Sequence, residues 1–178
     1  MKTILLIITF LVNLTSFAQI QDSTDLMFIE PEIKIGSFTL LPIVYSGGCL
    51  CRPDYRSRYI LDSTASFLKK HDKIKVQIEV YTDSRGVEEM NLKHSDLTAR
   101  NVASTLTERG INEDRIIPTP KGESQPWIVT KEDFKKYPFL QMGKLLTDDY
   151  ISELPEDQRN ICHSLNSRTV LRIIEIEY

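Results

Sequence analysis

The stretch from Lys73 to Gly110 constrains the fold most, because its apolar residues change from a period of two to a helical period at one acidic turn. The first half alternates apolar and polar side chains, which is typical of a strand with one buried face. Its apolar members are Ile74, Val76, Ile78 and Val80. The second half has a helical apolar stripe, and Gly110 is a typical residue to follow the end of a helix. The stripe consists of Ala99, Val102, Ala103 and Leu106. The sequence therefore predicts a strand, a turn that opens with Asp83, and a helix.

Asp83 is the first candidate for a functional side chain. Strand ends, and the loops that follow them, are where a rigid scaffold usually presents its binding groups. An aspartate in a turn can also organise the turn itself, by accepting a hydrogen bond from a nearby backbone N–H. The local sequence leaves both roles open.

The first eighteen residues are predicted to be a secretory signal peptide. They begin with Lys2, continue through an apolar run from Ile4 to Val12, and end with the small residues Ser16 and Ala18. The apolar run is too short for a convincing membrane span. We therefore expect cleavage before residue 19 and an exported mature chain without a transmembrane segment. No cysteine stands at the cleavage point, so lipid attachment there is not expected.

Residues 19–178 are enough for one domain with its own core. The formal net charge of the whole chain is −3, and no basic stripe is present, so we expect no nucleic-acid partner. Residues 19–37 are polar and show no sustained period, and we interpret them as a linker or a loosely attached arm.

The apolar pattern predicts two elements before the central unit. Phe38–Tyr45 is apolar and β-prone and is predicted to be a first strand, although Pro42 indicates an edge or irregular position. Pro53–Lys70 carries one apolar stripe and is predicted to be a helix.

After the central unit, Ile116 and Ile117 predict a short strand whose further pairing two following prolines are expected to restrict. Residues 127–160 form a segment too long for an ordinary connection, and we expect it to carry its own structure. The nearly continuous apolar run Thr169–Tyr178 predicts a strand in the middle of a sheet. The order β-α-β-α-β-(insertion)-β predicts an α+β two-layer sandwich, with helices on one face of a four-stranded mixed sheet.

Three cysteines stand in a chain that is expected to reach an oxidising compartment. Cys49 and Cys51 are two positions apart and would form a strained ring with each other, so a disulfide would join Cys162 to one of them. Sequence does not give the connectivity. Inert thiols remain an alternative, as does a metal site that adds His163, although the spacing matches no common zinc pattern.

Several ordered motifs resemble those of the OmpA-like peptidoglycan-binding domain family, of the Bacteroidetes type of exported protein. They are Thr82-Asp83-Ser84-Arg85-Gly86 for the TDxxG turn, Asn91, Glu108-Arg109-Gly110-Ile111 at the helix end, Lys121-Gly122-Glu123-Ser124-Gln125-Pro126, and His163-Ser164-Leu165-Asn166-Ser167-Arg168-Thr169. The match covers about residues 38–178, which we take as the domain, with an insertion at about 127–160.

The resemblance implies a non-catalytic grip on the diaminopimelate side chain of peptidoglycan stem peptides, in the periplasm and peripheral to the outer membrane. Asp83 would face the ammonium group, and an arginine in the helix would hold a carboxylate as a bidentate pair. The implied peptidoglycan-binding residues are Thr82, Asp83, Gly86, Asn91, Thr98 and Arg168. No cofactor or metal is implied.

The chain departs from the family pattern at the arginine. An ungapped match from Asn91 to Gly110 places Thr98 where the family has its ligand-holding arginine. Arg100 lies two positions on, about 200° around a helix, and only a change of helix register would bring it into the site. Arg85 in the turn and Arg100 are therefore the candidate compensating residues. Ser167 likewise replaces a usual arginine and leaves Arg168.

The resemblance and the missing arginine lead to two hypotheses about function. The first is a peptidoglycan-binding domain, and the second is a degenerate OmpA-like fold that lacks the ligand arginine and acts as a structural or protein-interaction module. In the second, the insertion is the candidate surface for envelope proteins. We expect no enzyme, because the sequence has no GxSxG, HExxH or P-loop pattern and its histidines, His71, His94 and His163, lie far apart.

Overall fold

The structure is a computed structural model that describes residues 28–43, 45–46 and 52–177. The predicted signal peptide, Cys49 and Cys51 lie outside the described residues. None of the helices in these ranges is both long enough and apolar enough to cross a bilayer.

The predicted α+β architecture is confirmed. The strands are Phe38–Leu40 (β1), Tyr45–Ser46 (β2), Arg52–Pro53 (β3), Ile74–Tyr81 (β4), Ile116–Gly122 (β5) and Arg168–Ile176 (β6). The helices are Tyr55–Lys70 (α1), Glu88–Glu108 (α2), Lys131–Lys136 (α3), Asp148–Ser152 (α4) and Glu156–Asn166 (α5), with a 3₁₀ turn at Glu113–Arg115. One mixed sheet has the order β1-β6-β4-β5, with β4 parallel to β5 and antiparallel to β6. Strands β2 and β3 form a separate two-stranded pair.

The alternation that predicts β4 decides which face of the sheet is covered. Its four predicted apolar side chains are buried in one cluster together with the apolar stripes of α1 and α2. Glu79 and Tyr81 alternate with them and therefore lie on the opposite face. Glu79 is nevertheless only 4% exposed, because Arg172 on β6 donates two hydrogen bonds of 3.0 Å to it and Tyr81 donates a third of 3.0 Å.

The last strand lies between β1 and β4, as its nearly continuous apolar run predicts. Val170, Leu171 and Ile173 are all buried there. This central position places the start of β6 beside the end of β4, because the two strands are antiparallel and Tyr81 pairs with Arg168.

Two strand predictions are wrong in extent. The first strand ends at Leu40 rather than Tyr45, since the chain leaves the sheet before Pro42. The third strand continues to Gly122, through Pro118 and Pro120, rather than stopping before them. It lies at the edge of the sheet, where the missing N–H of a proline can face away from the only neighbouring strand.

Two other segments differ from expectation. Helix α1 begins at Tyr55 rather than Pro53, because Asp54 caps it by accepting a 2.7 Å bond from the N–H of Ser57. Residues 28–37 have no regular structure, yet the Phe28 ring packs against the core with its centroid 5.8 Å from that of Phe67. This part of the expected loose arm is therefore attached to the domain.

The long segment before β6 carries its own structure, as expected. It contains α3 and α4, and its backbone closes on itself through a bridge between Ile128 and Leu145. With α5 it forms a second, smaller apolar cluster of buried residues, which are Val129, Leu140, Leu146, Ile151 and Cys162.

Candidate binding site at the end of strand β4

The turn after β4 is fixed by its own backbone. The N–H of Thr82 donates a 2.9 Å bond to the carbonyl of Gly122 at the end of β5. Gly86 has φ +110°, a conformation that side-chain-bearing residues rarely adopt, so glycine is required at this position. The amide of Asn91, in the first turn of α2, donates a 3.1 Å bond to the carbonyl of Asp83. These contacts hold Asp83 at the end of the sheet.

Asp83 is already paired. Its Oδ1 accepts a 2.9 Å bond from the N–H of Arg85 and a 3.0 Å bond from Arg85 Nε, and its Oδ2 accepts a 2.8 Å bond from Arg85 Nη2. Arg85, proposed from the sequence as a substitute ligand for a carboxylate, thus binds the turn aspartate instead. The reason is proximity, since a residue two positions on in a tight turn can turn its fork back onto the carboxylate.

The Asp83 carboxylate is held in its charged form. Partial burial alone raises the pKa of Asp83, but the hydrogen bonds and charge of Arg85, with a smaller contribution from His163, lower it below its ordinary value. The Asp83 side chain is 15% exposed, whereas that of Arg85 is 60% exposed. The turn therefore presents a carboxylate whose present partner extends into solvent.

Asn91 also links the turn to the second family motif. Its Nδ2 atom lies 2.6 Å from Oε2 of Glu123, and it donates to that carboxylate as well as to the turn. The neighbouring Gly122 allows close packing, because an added Cβ there would lie 3.4 Å from the backbone of Leu92. The N–H of Gly122 donates a 3.1 Å bond to Ser95 Oγ. Two motifs far apart in sequence thus form one unit.

A cavity of about 530 Å³ opens beside this unit, where the end of β4 meets the start of β6. It is lined by Leu40, Leu41, Pro42, Ile43, Val80, Tyr81, His94, Thr98, Trp127, Asp133, Ser164, Leu165, Ser167, Arg168 and Thr169. Asp83 is two residues beyond Tyr81 and is not itself a lining residue. The cavity therefore brings together Thr98 and Arg168 from the expected site, and the turn follows another of its lining residues, Tyr81, in the chain.

Thr98 lies on the cavity wall and is only 8% exposed. Its Oγ1 atom is buried and has no hydrogen-bond partner in the described part of the chain. Arg100 does not reach this cavity, since it pairs with Asp96 on the outer surface of α2 and lines a different cavity near Pro118. The unshifted helix register thus puts a hydroxyl where the family pattern would put a guanidinium.

Arg168 extends across the cavity wall between two aromatic rings. Its guanidinium carbon lies 3.7 Å from the ring centroid of Tyr81 and 5.0 Å from that of Trp127. Nη1 donates a 2.9 Å bond to the carbonyl of Asn166, and Nη2 donates a 3.0 Å bond to that of Gln125. The Nε atom is buried and has no partner among the described residues.

Two expected residues lie outside this cavity. Thr82 lines a second cavity of about 280 Å³, together with Glu123 and Asp148. Cys162 is buried in the smaller apolar cluster, and because both of its expected partners are undescribed, the disulfide stays a prediction. The described residues include no group of three or more metal-ligating side chains.

Sequence reasoning missed the aromatic residues that hold Arg168. Trp127 lies 41 positions before it, in a segment without a clear period, and only the folding of the insertion against β6 brings the two together. The alternation of β4 was a usable signal for Tyr81, because it places that ring on the same face as the partner strand's Arg168.

Residues 54–136 match the family model described as the OmpA family. No curated protein matches the chain. Among solved structures, the periplasmic domain of MotB from Helicobacter pylori is similar with a TM-score of 0.55 and 14% identity, over 83% of this chain and 88% of that one. A putative MotB-like protein from Desulfovibrio vulgaris has a TM-score of 0.50 and 14% identity, over 78% and 74% of the two chains. The peptidoglycan-associated lipoprotein from Burkholderia pseudomallei has a TM-score of 0.48 and 17% identity, over 74% and 87%. At 14% identity, the likeness to the two MotB structures shows the fold.

Proposed function

Because residues 54–136 belong to the OmpA family, we propose that this chain is a non-catalytic peptidoglycan-binding domain that anchors to the cell wall. The ligand is the diaminopimelate side chain of a stem peptide, whose ammonium group binds Asp83. The predicted signal peptide and the family resemblance support a place in the periplasm, peripheral to the outer membrane.

One observation carries the proposal: Asp83 is charged, its backbone carbonyl is bound by Asn91, and it follows by two residues Tyr81, which lines a cavity of about 530 Å³. A carboxylate held in this way favours a cationic ligand, since charge-assisted hydrogen bonds are about twice as strong as neutral ones. Hydrogen bonds to the backbone already hold the turn that carries Asp83, so ligand binding does not have to order it.

An incoming ammonium group has to compete with Arg85 for Asp83. The Arg85 side chain is 60% exposed, so its guanidinium can move into water, but the pair that it gives up is bidentate and its carboxylate is only 15% exposed. The ammonium group therefore has to replace more than the ~0–1 kcal/mol of an ordinary exposed ion pair, and the displacement leaves the Asp83 carboxylate in place for the ligand.

Co-sedimentation of the exported, purified protein with diaminopimelate-type sacculi tests the proposal. Asp83→Asn keeps the size of the side chain and removes its charge, so the retained fraction is expected to fall by about tenfold. Asp114→Asn is the matched control, because Asp114 is an exposed aspartate at the opposite end of the sheet, next to the start of β5. Equal retention of the two variants would contradict the assignment of Asp83.

A second candidate function is a structural or protein-interaction module, and the exposed surface of the insertion favours it. The insertion exposes four large apolar side chains. The exposed side chains are Ile128, Phe134, Met142 and Leu145, which are 45–67% exposed. Under this alternative, substituting Phe134 and Met142 by serine would abolish capture of an envelope protein, and the wild-type protein would not be retained by sacculi.

A further inference from the structure

The cavity at the end of β4 contains two buried polar atoms that nothing in the described chain satisfies. They are the Thr98 hydroxyl oxygen and Arg168 Nε, and both residues line the cavity. Buried polar atoms without a partner are rare in folded proteins, and each one calls for a specific cause. Two in one cavity indicate that a polar group from outside the chain belongs there.

The Arg168 guanidinium is held at the cavity and keeps donors for such a group. Its central carbon lies 3.7 Å from the ring centroid of Tyr81 and 5.0 Å from that of Trp127. A guanidinium has five N–H donors, and the carbonyls of Asn166 and Gln125 account for two of them. Donors therefore remain for a planar, bidentate acceptor.

Arg168 forms no direct ion pair with a carboxylate in the described part of the chain. Burial lowers the pKa of its guanidinium, while the negative charge of Glu79, which is itself bonded to Arg172, acts on it from a greater distance. Asp133 also lines the cavity, but its Oδ2 atom is bound to Trp127 Nε1 at 2.7 Å and to both the N–H and the hydroxyl of Thr130. A ligand carboxylate would place a negative charge in direct contact with the guanidinium.

The rest of the cavity suits a short hydrocarbon stem. Its apolar lining residues are Leu40, Leu41, Pro42, Ile43, Val80 and Leu165. A carboxylate on a chain of methylene groups would contact apolar side chains of this lining while its head reaches Arg168 and Thr98. Methylene groups gain free energy on leaving water for such a surface.

We propose that Arg168, with the Thr98 hydroxyl as a second donor, forms the carboxylate subsite of this domain, so that the guanidinium comes from the sheet and not from helix α2. This inference rests on the proposed function and specifies it further. The ligand group is the free carboxylate of the diaminopimelate side chain, while its ammonium group binds Asp83.

Two synthetic stem peptides separate the two contacts. One contains diaminopimelate, and the other contains lysine in its place, which keeps the amine and lacks the side-chain carboxylate. By isothermal titration calorimetry, the wild-type protein is expected to bind the diaminopimelate peptide about tenfold more tightly than the lysine peptide.

Three variants locate the origin of this preference. Thr98→Val replaces the partnerless hydroxyl by a methyl group, and Arg168→Lys keeps the charge but removes the fork. Each is expected to reduce the preference to about twofold. Arg115→Lys is the matched control, because Arg115 also donates to backbone carbonyls but lies at the other end of the sheet, and it is expected to keep the full preference.

The outcomes distinguish the subsite from the function on which it rests. A wild-type protein that prefers the diaminopimelate peptide, with both cavity variants keeping that preference, overturns the subsite and leaves peptidoglycan binding intact. A wild-type protein that binds neither peptide nor sacculi overturns both. If Arg168→Lys unfolds, Thr98→Val decides alone, since a valine of similar shape removes a buried polar group without opening a cavity.

Discussion

Arg115 and Arg168 occupy opposite ends of the same sheet, and they differ in how completely their nitrogen atoms are bonded. Arg115 donates from Nε to the carbonyl of Ile74 and from Nη2 to those of Leu68 and His71, at 2.7–2.9 Å. None of its buried nitrogen atoms lacks a partner, whereas Nε of Arg168 does. Burial lowers the pKa of both guanidinium groups, so removal from water disfavours the charge of each.

This difference in hydrogen bonding indicates that Arg115 stabilises the fold, whereas Arg168 has donors available for a ligand. Arg115 joins the end of α1 to the start of β4 and lines none of the cavities described above. Arg168 is held rigidly by two rings and two carbonyls, yet its remaining donors stand at a cavity. The fully bonded arginine therefore contributes to stability, and the incompletely bonded one is the candidate for ligand binding.

Replacing each arginine by methionine should give the largest contrast. Arg115→Met removes the side-chain donor from three carbonyls, of which that of His71 keeps a long bond of 3.4 Å from the N–H of Ile74. Because each lost partner costs about 1–3 kcal/mol, we expect the free energy of unfolding to fall by about 2–4 kcal/mol. Arg168→Met is expected to cost less, about 1–2 kcal/mol, since it also removes a partly buried charge that has no direct ion pair among the described residues. Urea denaturation of both variants measures the difference. Equal losses of unfolding free energy in the two variants would contradict the different roles assigned to Arg115 and Arg168.

Thr98→Arg should strengthen ligand binding at the end of β4. The cavity of about 530 Å³ can admit a longer side chain, and a second fork would face the carboxylate from α2. We expect the affinity for sacculi to rise by about tenfold. Some stability should be lost, because two guanidinium groups would then line the same cavity. The dissociation constant from a sacculus-binding isotherm provides the measurement. An unchanged affinity would mean that the pocket has lost more than its family arginine.

Arg85→Gln should have a smaller effect in the same direction. It removes the fork that occupies Asp83, so an ammonium group no longer has to displace it, and we expect affinity to rise by about threefold, the equivalent of less than 1 kcal/mol. Arg109→Gln, at the far end of α2, is the control, because its partner is Asp62. Weaker binding by Arg85→Gln would show that Arg85 itself contacts the ligand.

The pH dependence should be the smallest effect. The pKa of Asp83 is lowered in the folded state, so its charge stabilises the fold at every pH above its unfolded value of about 3.9. That contribution is lost only as pH falls through the lower folded value. The stability difference between wild type and Asp83→Asn should therefore be constant from pH 5 to pH 8, below about 1 kcal/mol, and disappear under strong acid. A change between pH 5 and pH 7 would contradict the pairing.

The sequence predicts the scaffold well because the decisive signals are local and periodic. The alternation in β4 and the unbroken apolar run of β6 determine both the buried face and the strand order. The prolines of β5 lead to a predicted strand that is too short. A proline lacks an N–H for pairing on one side only, and an edge strand pairs only on the other side.

The site is less predictable because its contacts join distant segments. The motif places Asp83 at a turn, but whether Arg85 turns back onto it depends on side-chain geometry that the motif does not encode. The substitution at Thr98 is readable from the sequence, whereas the position of Arg168 between two rings depends on how the insertion folds.

Retention of the wild-type protein on purified diaminopimelate-type sacculi, with free diaminopimelate as competitor, tests the central claim most directly. We expect the protein to sediment with the sacculi at low salt and to return to the supernatant as the competitor is added. Protein that stays in the supernatant at low salt, or sediments and is not released by the competitor, would contradict peptidoglycan binding through the end of β4.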